Sequence, residues 1–205
     1  MHQYSEIFEK NYIEYCAQIA DLNFAAIKEK LGIEQDGNQI IVPFFNNVYF
    51  VSKEGIVDAS GVRPDYMVCV ILSKYLLLCP ESSYDDTEWV SFKDFKKTSP
   101  FLNVNYFASD TEKPIVQYFS GKLEALSLAC EKFGGLPCDL KISYDLVMRF
   151  DALPRISLLL LFNDSDEEFS AQCSVLFQKQ AEYYLDPESL AMTSSFLVKS
   201  LKRCK

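Results

Sequence analysis

The distribution of apolar residues predicts a β-sheet in the last third of the chain. Residues 156–162 are apolar at almost every position, so both faces of this strand should be covered. Residues 144–150 and 172–178 alternate apolar with polar side chains, as half-buried strands do. The three segments form a C-terminal three-strand block whose turns lie at Asp151–Pro154 and Asn163–Glu168.

Two further apolar runs predict an N-terminal antiparallel meander. Gln39–Phe44 and Val48–Ser52 flank Asn46–Asn47, and asparagine tolerates the positive φ angles of a tight hairpin. We expect the face that carries Val48 and Phe50 to pack inward.

About four helices are predicted from three- and four-residue apolar spacing and from end signals. They are Ser5–Leu31, Pro64 to Pro80, Pro114–Phe133 with Gly134–Gly135 at its end, and Pro187–Arg203 with Asp186 as its cap. The last helix should pack Leu190, Leu197 and Leu201. The fold class is therefore α+β, a mostly antiparallel sheet packed with helices. We expect a single domain over residues 1–205, with possible sub-lobes 1–110 and 111–205.

Two segments between these elements have no clear period. Glu81–Glu88 is acidic and serine-rich, which is typical of a surface loop. Trp89, the only tryptophan, begins a short strand or ordered turn in which Trp89 and Phe92 are anchors. Thr98–Thr111 is aromatic and irregular, and such a segment is able to line a groove.

The net charge of −9 argues against nucleic-acid binding, which draws on many cationic contacts to phosphates. The basic cluster at the C-terminus complements the dipole of the last helix; it comprises Lys199, Lys202, Arg203 and Lys205. No run of about 18 apolar residues is present, and the N-terminus lacks the apolar core of a signal peptide. The sequence thus predicts a cytoplasmic protein that does not enter membranes.

Seven cysteines are present, and no two form a C-x-x-C pair. Cys16, Cys69 and Cys130 fall in helical patterns, and Cys173 falls on the inward face of a strand. We expect free, mostly buried thiols, with no metal and no cofactor.

Residues suited to catalysis are scarce. His2 is the only histidine, and neither a phosphate-binding glycine loop nor a G-x-S-x-G nucleophile turn is found. These features favour a non-enzymatic role.

The acidic turn, Asn163–Glu168, is the densest group of candidate ligands. Its carboxylates, Asp164, Asp166, Glu167 and Glu168, suit either a solvated turn, a docking surface for a basic partner, or a Mg²⁺ or Ca²⁺ site. We take the turn as a candidate binding site without a metal.

Arg155 and Trp89 complete the candidate binding residues. Arg149 and Arg155 flank the Asp151–Pro154 turn, where each can pair with Asp145, Asp151 or the acidic turn. Anion binding is the alternative at Arg155.

Several short sequences resemble an uncharacterised domain-of-unknown-function family of anaerobic bacteria and archaea. They are LPRI at Leu153–Ile156, DEEF at Asp166–Phe169, VLF at Val175–Phe177, YLDPE at Tyr184–Glu188, EWVSFKDF at Glu88–Phe95 and Gly134–Gly135. The resemblance spans Ile40 to Leu201. It implies a link to anaerobic metabolism and an occasional association with a four-iron iron–sulfur segment, but no catalytic residues.

Together, these observations predict a non-enzymatic accessory or protein-interaction module, with an iron–sulfur protein as a possible partner. The alternative is a small-molecule enzyme or binding protein that uses carboxylates and Arg155 in an aromatic groove. A third hypothesis is a scaffold with no ligand. A bound small molecule or a polar pocket beside Arg155 would favour the enzyme, and a flat exposed aromatic patch would favour the module.

Overall fold

A computed structural model describes residues 6–97, 104–140 and 142–204. The strands are β1 (Glu34–Asp36), β2 (Gln39–Phe44), β3 (Asn47–Ser52), β4 (Gly55–Asp58), β5 (Trp89–Ser91), β6 (Leu136–Pro137), β7 (Leu146–Leu153), β8 (Ile156–Asn163) and β9 (Gln172–Gln178). The α-helices are α1 (Glu6–Ala20), α2 (Phe24–Leu31), α3 (Tyr66–Leu77), α4 (Val104–Phe107), α5 (Lys113–Phe119), α6 (Leu123–Lys132) and α7 (Pro187–Arg203). Of the sequence features above, His2, Ser5, Lys205 and residues 98–103 lie outside the described ranges.

The larger sheet has the order β5-β9-β8-β7-β6, and every pairing in it is antiparallel. β8 lies at its centre and is buried on both faces, which confirms the prediction for residues 156–162. The turn before β8 is shorter than predicted. β7 continues to Leu153, which pairs with Ile156, so only Pro154 and Arg155 form the turn.

The smaller sheet, β1-β2-β3-β4, contains the predicted meander, but its inward face was predicted wrongly. Phe44 pairs with Asn47, so the hairpin turns at Phe45–Asn46 and Val42 lies opposite Tyr49. A one-residue change in register exchanges the two faces of a strand. Tyr49 and Val51 are therefore buried, while Val48 is exposed.

The tip of this hairpin joins the two sheets. The backbone N–H of Phe45 donates to the Ala152 carbonyl of β7 at 2.8 Å, and the Phe45 ring packs against Phe133 and Phe196. Phe45 has a φ of 49°, a conformation that is unfavourable for a bulky residue. Tertiary packing at this junction therefore holds a locally unfavourable backbone.

Two of the predicted helices are each broken into two. Asn23 caps α2 by accepting the Ala26 N–H, which ends the first helical run at Ala20. Ser120 to Lys122 separates α5 from α6, and Gly121 there has a φ of 71°. The apolar spacing favoured a continuous helix at both places. The Asn23 cap interrupts the first helix, and the left-handed Gly121 interrupts the second.

Aspartate side chains cap the N-termini of α3 and α7. α3 begins at Tyr66 rather than at Pro64 because the Asp65 side chain accepts the Val68 N–H. Asp186 caps α7 as predicted, by accepting the Ser189 N–H at 2.8 Å.

The predicted ends of the last two helices are also confirmed. Gly134 and Gly135 close α6, donating to the carbonyls of Glu131 and Cys130. Leu190, Leu197 and Leu201 of α7 are buried in a hydrophobic cluster that extends from Ile19 to Leu201.

Candidate functional site

The acidic turn is ordered by its own backbone. The Asp166 carboxylate accepts the N–H groups of Glu168 and Phe169 at 2.9 and 2.6 Å. These hydrogen bonds favour the charged form and lower the pKa of Asp166 below its usual range. Asp166 therefore orders the backbone of the turn, and the side chains of Glu167, Glu168 and Phe169 are exposed to solvent.

Asp164 ties the same turn to the junction of α5 and α6. Its carboxylate accepts the Gly121 N–H at 2.6 Å, and its own N–H donates to Asp145 at 2.8 Å. Asp145 in turn donates its N–H to the Asn163 side chain. Two of the four predicted carboxylates thus have local structural partners.

Within residues 6–97, 104–140 and 142–204, no three His, Cys, Asp or Glu side chains gather closely enough to hold a metal ion. The acidic turn therefore presents dispersed charges rather than a ligand cage.

Arg155 binds main-chain carbonyls of α2 rather than Asp145, Asp151 or the acidic turn. Its Nε donates to the Lys30 carbonyl and one terminal nitrogen donates to the Glu29 carbonyl, both at 3.0 Å. The guanidinium therefore lies at the C-terminus of α2, where a positive charge also complements the helix dipole. Arg149, by contrast, pairs with Asp151 at 3.0 Å, as expected.

The other carbonyls at the end of α2 are also satisfied. Ile33 N–H donates to the Lys28 carbonyl, Gly32 N–H donates to Glu29, and the Tyr75 hydroxyl donates to Leu31 at 2.6 Å. The last four carbonyls of a helix lack intrahelical partners, and here each has one. Arg155 therefore has a structural role, because it joins the C-terminus of α2 to the turn that precedes β8.

The predicted binding residues do not meet at one place. Arg155 precedes β8 and the acidic turn follows it, so about 26 Å of extended strand separates them. Trp89 lies on the edge strand β5 and pairs with Gln178 of β9. This position is nearer to the Arg155 end of the sheet. Trp89 is only half-buried, whereas its predicted fellow anchor, Phe92, is buried.

A surface groove lies elsewhere, between α7 and the segment from Tyr106 to Pro114. This α7 groove has a volume of about 940 Å³, and Met67 and Phe92 add apolar surface to it. Its volume is within the range of ligand sites in proteins. Residues 106, 109 and 110 belong to Thr98–Thr111, which the sequence predicted to be irregular and able to line a groove. From Val104 onward this segment is helical.

The wall opposite α7 includes an unusual helical turn. Ala108–Glu112 is π-helical and connects α4 to α5. Single π-helical turns occur frequently at functional sites. On this wall the Tyr106 hydroxyl hydrogen-bonds to Asp110, which raises the pKa of the tyrosine.

The two ends of the α7 groove carry opposite charges. Asp110, Asp186 and Glu188 lie at one end, and Lys199 and Lys202 lie at the other. Asp186 is already engaged as the cap of α7 and pairs with Lys74 at 3.4 Å.

The sequence relates Lys199 and Lys202 only to the dipole of α7 and does not predict that they lie at one end of a groove. The spacing of Glu188, Ala191, Ser195 and Lys202 on one face of α7 is the signal that would have shown it.

The same π-helical turn contains a half-buried carboxylate. Glu112 accepts the Val175 N–H on β9, and burial raises the pKa of Glu112. Cys173 lies two residues away on β9, and burial raises its pKa too. A thiol with a raised pKa is a poor nucleophile at neutral pH, so this pair does not resemble an activated cysteine site.

The other thiols differ in exposure: Cys69 and Cys130 are buried, whereas Cys16, Cys79, Cys138 and Cys204 are partly exposed, so fewer thiols are buried than the sequence predicted. None of the seven cysteines forms a disulfide. Burial raises the pKa values of Cys69 and Cys130 to about 12. These thiols are small apolar side chains of the core, as the sequence predicted.

Fold and groove together define an α+β protein with a long amphipathic groove on its surface. Residues 23–200 match the model of the family described as "Domain of unknown function (DUF3786)", and the chain therefore belongs to that family. Comparisons with curated proteins and with solved structures found no match. Among the helices of the described residues, none combines the length and the apolar character that crossing a membrane requires.

Proposed function

We propose that this protein is a non-enzymatic accessory module that binds a partner protein through the α7 groove. The observation that carries the proposal is the groove itself, an apolar floor between ends of opposite charge. A surface of this kind provides hydrophobic contact area and fixes the orientation of a charged partner.

Partner chemistry is proposed from the family resemblance. That resemblance implies anaerobic metabolism, and we propose an iron–sulfur protein of an anaerobic bacterium or archaeon as the partner. We also propose that the interaction takes place in the cytoplasm. Seven thiols without a disulfide are typical of a reducing compartment and support this location.

The acidic turn has a supporting role in the same proposal. Gly121, which Asp164 binds, adjoins Lys122, and the amines of Lys122 and Lys202 both approach the Tyr118 ring, at 5.4 and 5.8 Å. The turn is thus connected to the basic end of the α7 groove through a few contacts. Its exposed glutamates can steer a basic surface of the partner, an effect that salt weakens.

Substitution in the groove tests the proposal. Ala191→Arg places a long charged side chain on the groove floor, and Ala125→Arg makes the same change on the exposed face of α6. We expect Ala191→Arg to abolish co-purification of one discrete partner from anaerobic cells, and Ala125→Arg to retain it. The partner, identified by mass spectrometry and purified, should rebind the wild-type protein and contain iron and acid-labile sulfide.

Retention of the partner by Ala191→Arg, with an unchanged melting temperature, would show that docking occurs elsewhere. The double change Glu167→Ser and Glu168→Ser, which keeps the Asp166 hydrogen bonds that order the turn, tests the steering role separately. It should slow association at low salt and remove the salt dependence, while the bound complex persists.

A small-molecule function is the second candidate, favoured by the volume of the groove and by the Tyr106–Asp110 pair on its wall. Arg155, which this candidate requires, donates to α2 instead of lining the groove. A metabolite that stabilises the wild-type protein but not Ala191→Arg against heat would support this candidate over a protein partner.

A further inference from the structure

The α7 face of the groove is a continuous helical stripe. Its members recur at spacings of three and four residues, which places them on one side of the helix. They are Glu188, Ala191, Met192, Ser195, Val198, Lys199 and Lys202. The opposite side of α7 is buried in the core through Leu190, Leu197 and Leu201.

The stripe has the properties of a helix-packing face. Small side chains at Ala191 and Ser195 let another backbone approach closely, and the partly exposed Met192 supplies apolar contact, whereas Val198 is buried. From Glu188 to Lys202 the stripe extends about 21 Å, which is four helical turns.

The charges along the stripe define a direction. Helices favour acidic residues in the first turn and basic residues in the last, because these complement the helix dipole. A helix antiparallel to α7 would bring its acidic first turn to Lys199 and Lys202, and its basic last turn to Glu188. A parallel helix would place like charges together.

These charges are available to a partner. Within the part of the chain that the structure describes, neither Lys199, Lys202 nor Glu188 lies within ion-pairing distance of an opposite charge. Lys202 approaches only an aromatic face, that of Tyr118.

We infer that the α7 groove binds an amphipathic helix of the partner protein, about four turns long and antiparallel to α7. The inference rests on the proposed function, because it specifies which kind of partner segment docks. Apolar residues of that helix would cover Ala191 and Met192, and its charged ends would meet the charges at the two ends of the groove.

A displayed library of helical peptides of about 16 residues tests this inference. The apolar positions and the charges of both end turns are randomised, and binders are selected on the wild-type protein. Binders that also bind Ala191→Arg are removed. Ser195→Lys serves as a second blocking variant, and both variants are checked for a wild-type melting temperature.

Enriched peptides should be acidic in the first turn and basic in the last. The best of them should bind about tenfold more tightly than the isomer with its end charges exchanged. On the variant Glu188→Lys, Lys199→Glu, Lys202→Glu, the preference for an acidic first turn should be lost, because Asp110 and Asp186 keep the other end acidic and both ends of the groove are then negative. Peptides that fail to bind, show no charge order, or bind equally well with a central proline would overturn the inference.

The two proposals fail in different ways. If Ala191→Arg loses the natural partner but the peptides show no charge order, the proposal that a partner docks in the α7 groove stands. The inference of an antiparallel helix is then rejected. Retention of the natural partner by Ala191→Arg would reject the proposed function, whatever the peptides do.

Discussion

At the scale of single residues, charged side chains that looked functional in the sequence are used to complete hydrogen bonds. Arg155 satisfies two carbonyls at the end of α2, and Asp166 accepts two N–H groups of its own turn. Sequence cannot distinguish these uses from ligand binding, because the partners of Arg155 lie 125 and 126 residues away.

Arg155→Ala should destabilise the protein by about 1–3 kcal/mol, because two carbonyls lose a charged donor. Arg155→Lys keeps the charge at the helix end but not the two-pronged geometry, so its loss should be smaller. Urea denaturation measures both. An alanine variant as stable as the wild type would indicate that water satisfies these carbonyls.

Glu112 should make stability depend on pH in a defined direction. Burial raises its folded-state pKa, so the folded protein holds this proton more tightly than the unfolded chain. The resulting stabilisation is complete below the usual carboxyl pKa and is lost as the pH rises through the raised value.

The variant Glu112→Gln should therefore gain stability relative to the wild type as the pH rises from about 4 through the raised pKa of Glu112. Glu112→Ala is the control: it leaves the Val175 N–H without its acceptor and should cost about 1–3 kcal/mol. A stability difference between Glu112→Gln and the wild type that does not change with pH would contradict the assignment.

The thiols should react slowly in the native protein. Titration with a thiol reagent should find all seven cysteines only after denaturation. Cys138 and Cys204, which are partly exposed, should react first. Rapid native reaction of Cys69 or Cys130 would mean that the core opens readily or that these thiols are not buried.

At the scale of elements, the apolar pattern predicted most strands and helices but not the breaks or the register. β8 was evident because six of the seven residues from Ile156 to Phe162 are apolar. The inward face of β3 was wrong because Phe45 adopts a positive φ that only its packing against other elements supports. The α5–α6 break depends partly on Asp164, which is distant in sequence.

β8 gives the clearest prediction at this scale. Leu160→Ala and Phe162→Ala delete fully buried side chains and should each cost about 2–5 kcal/mol. Glu81→Ala and Ser83→Ala, in the exposed loop, should stay within about 0.5 kcal/mol. Similar denaturation midpoints for the two pairs would contradict the central position of β8.

At the scale of the whole molecule, the candidate site arises from elements that are distant in the chain. The α7 groove combines α7 with residues 106–114, Phe92 and Met67. The sequence indicated an aromatic segment able to line a groove, but not which helix would face it. The charge order from Glu188 to Lys202 is present on α7 alone, but the wall of residues 106–114 that makes this face a groove depends on the tertiary fold.

The most direct measurement is site-specific photo-cross-linking in anaerobic cells. A photoreactive residue replaces Met192 on the groove floor, and in the control it replaces Leu128, which is exposed on α6. We expect one discrete adduct from position 192, lost on adding Ser195→Lys, and none of that identity from position 128. An adduct with the same partner from position 128 but not from 192 would contradict docking in the α7 groove.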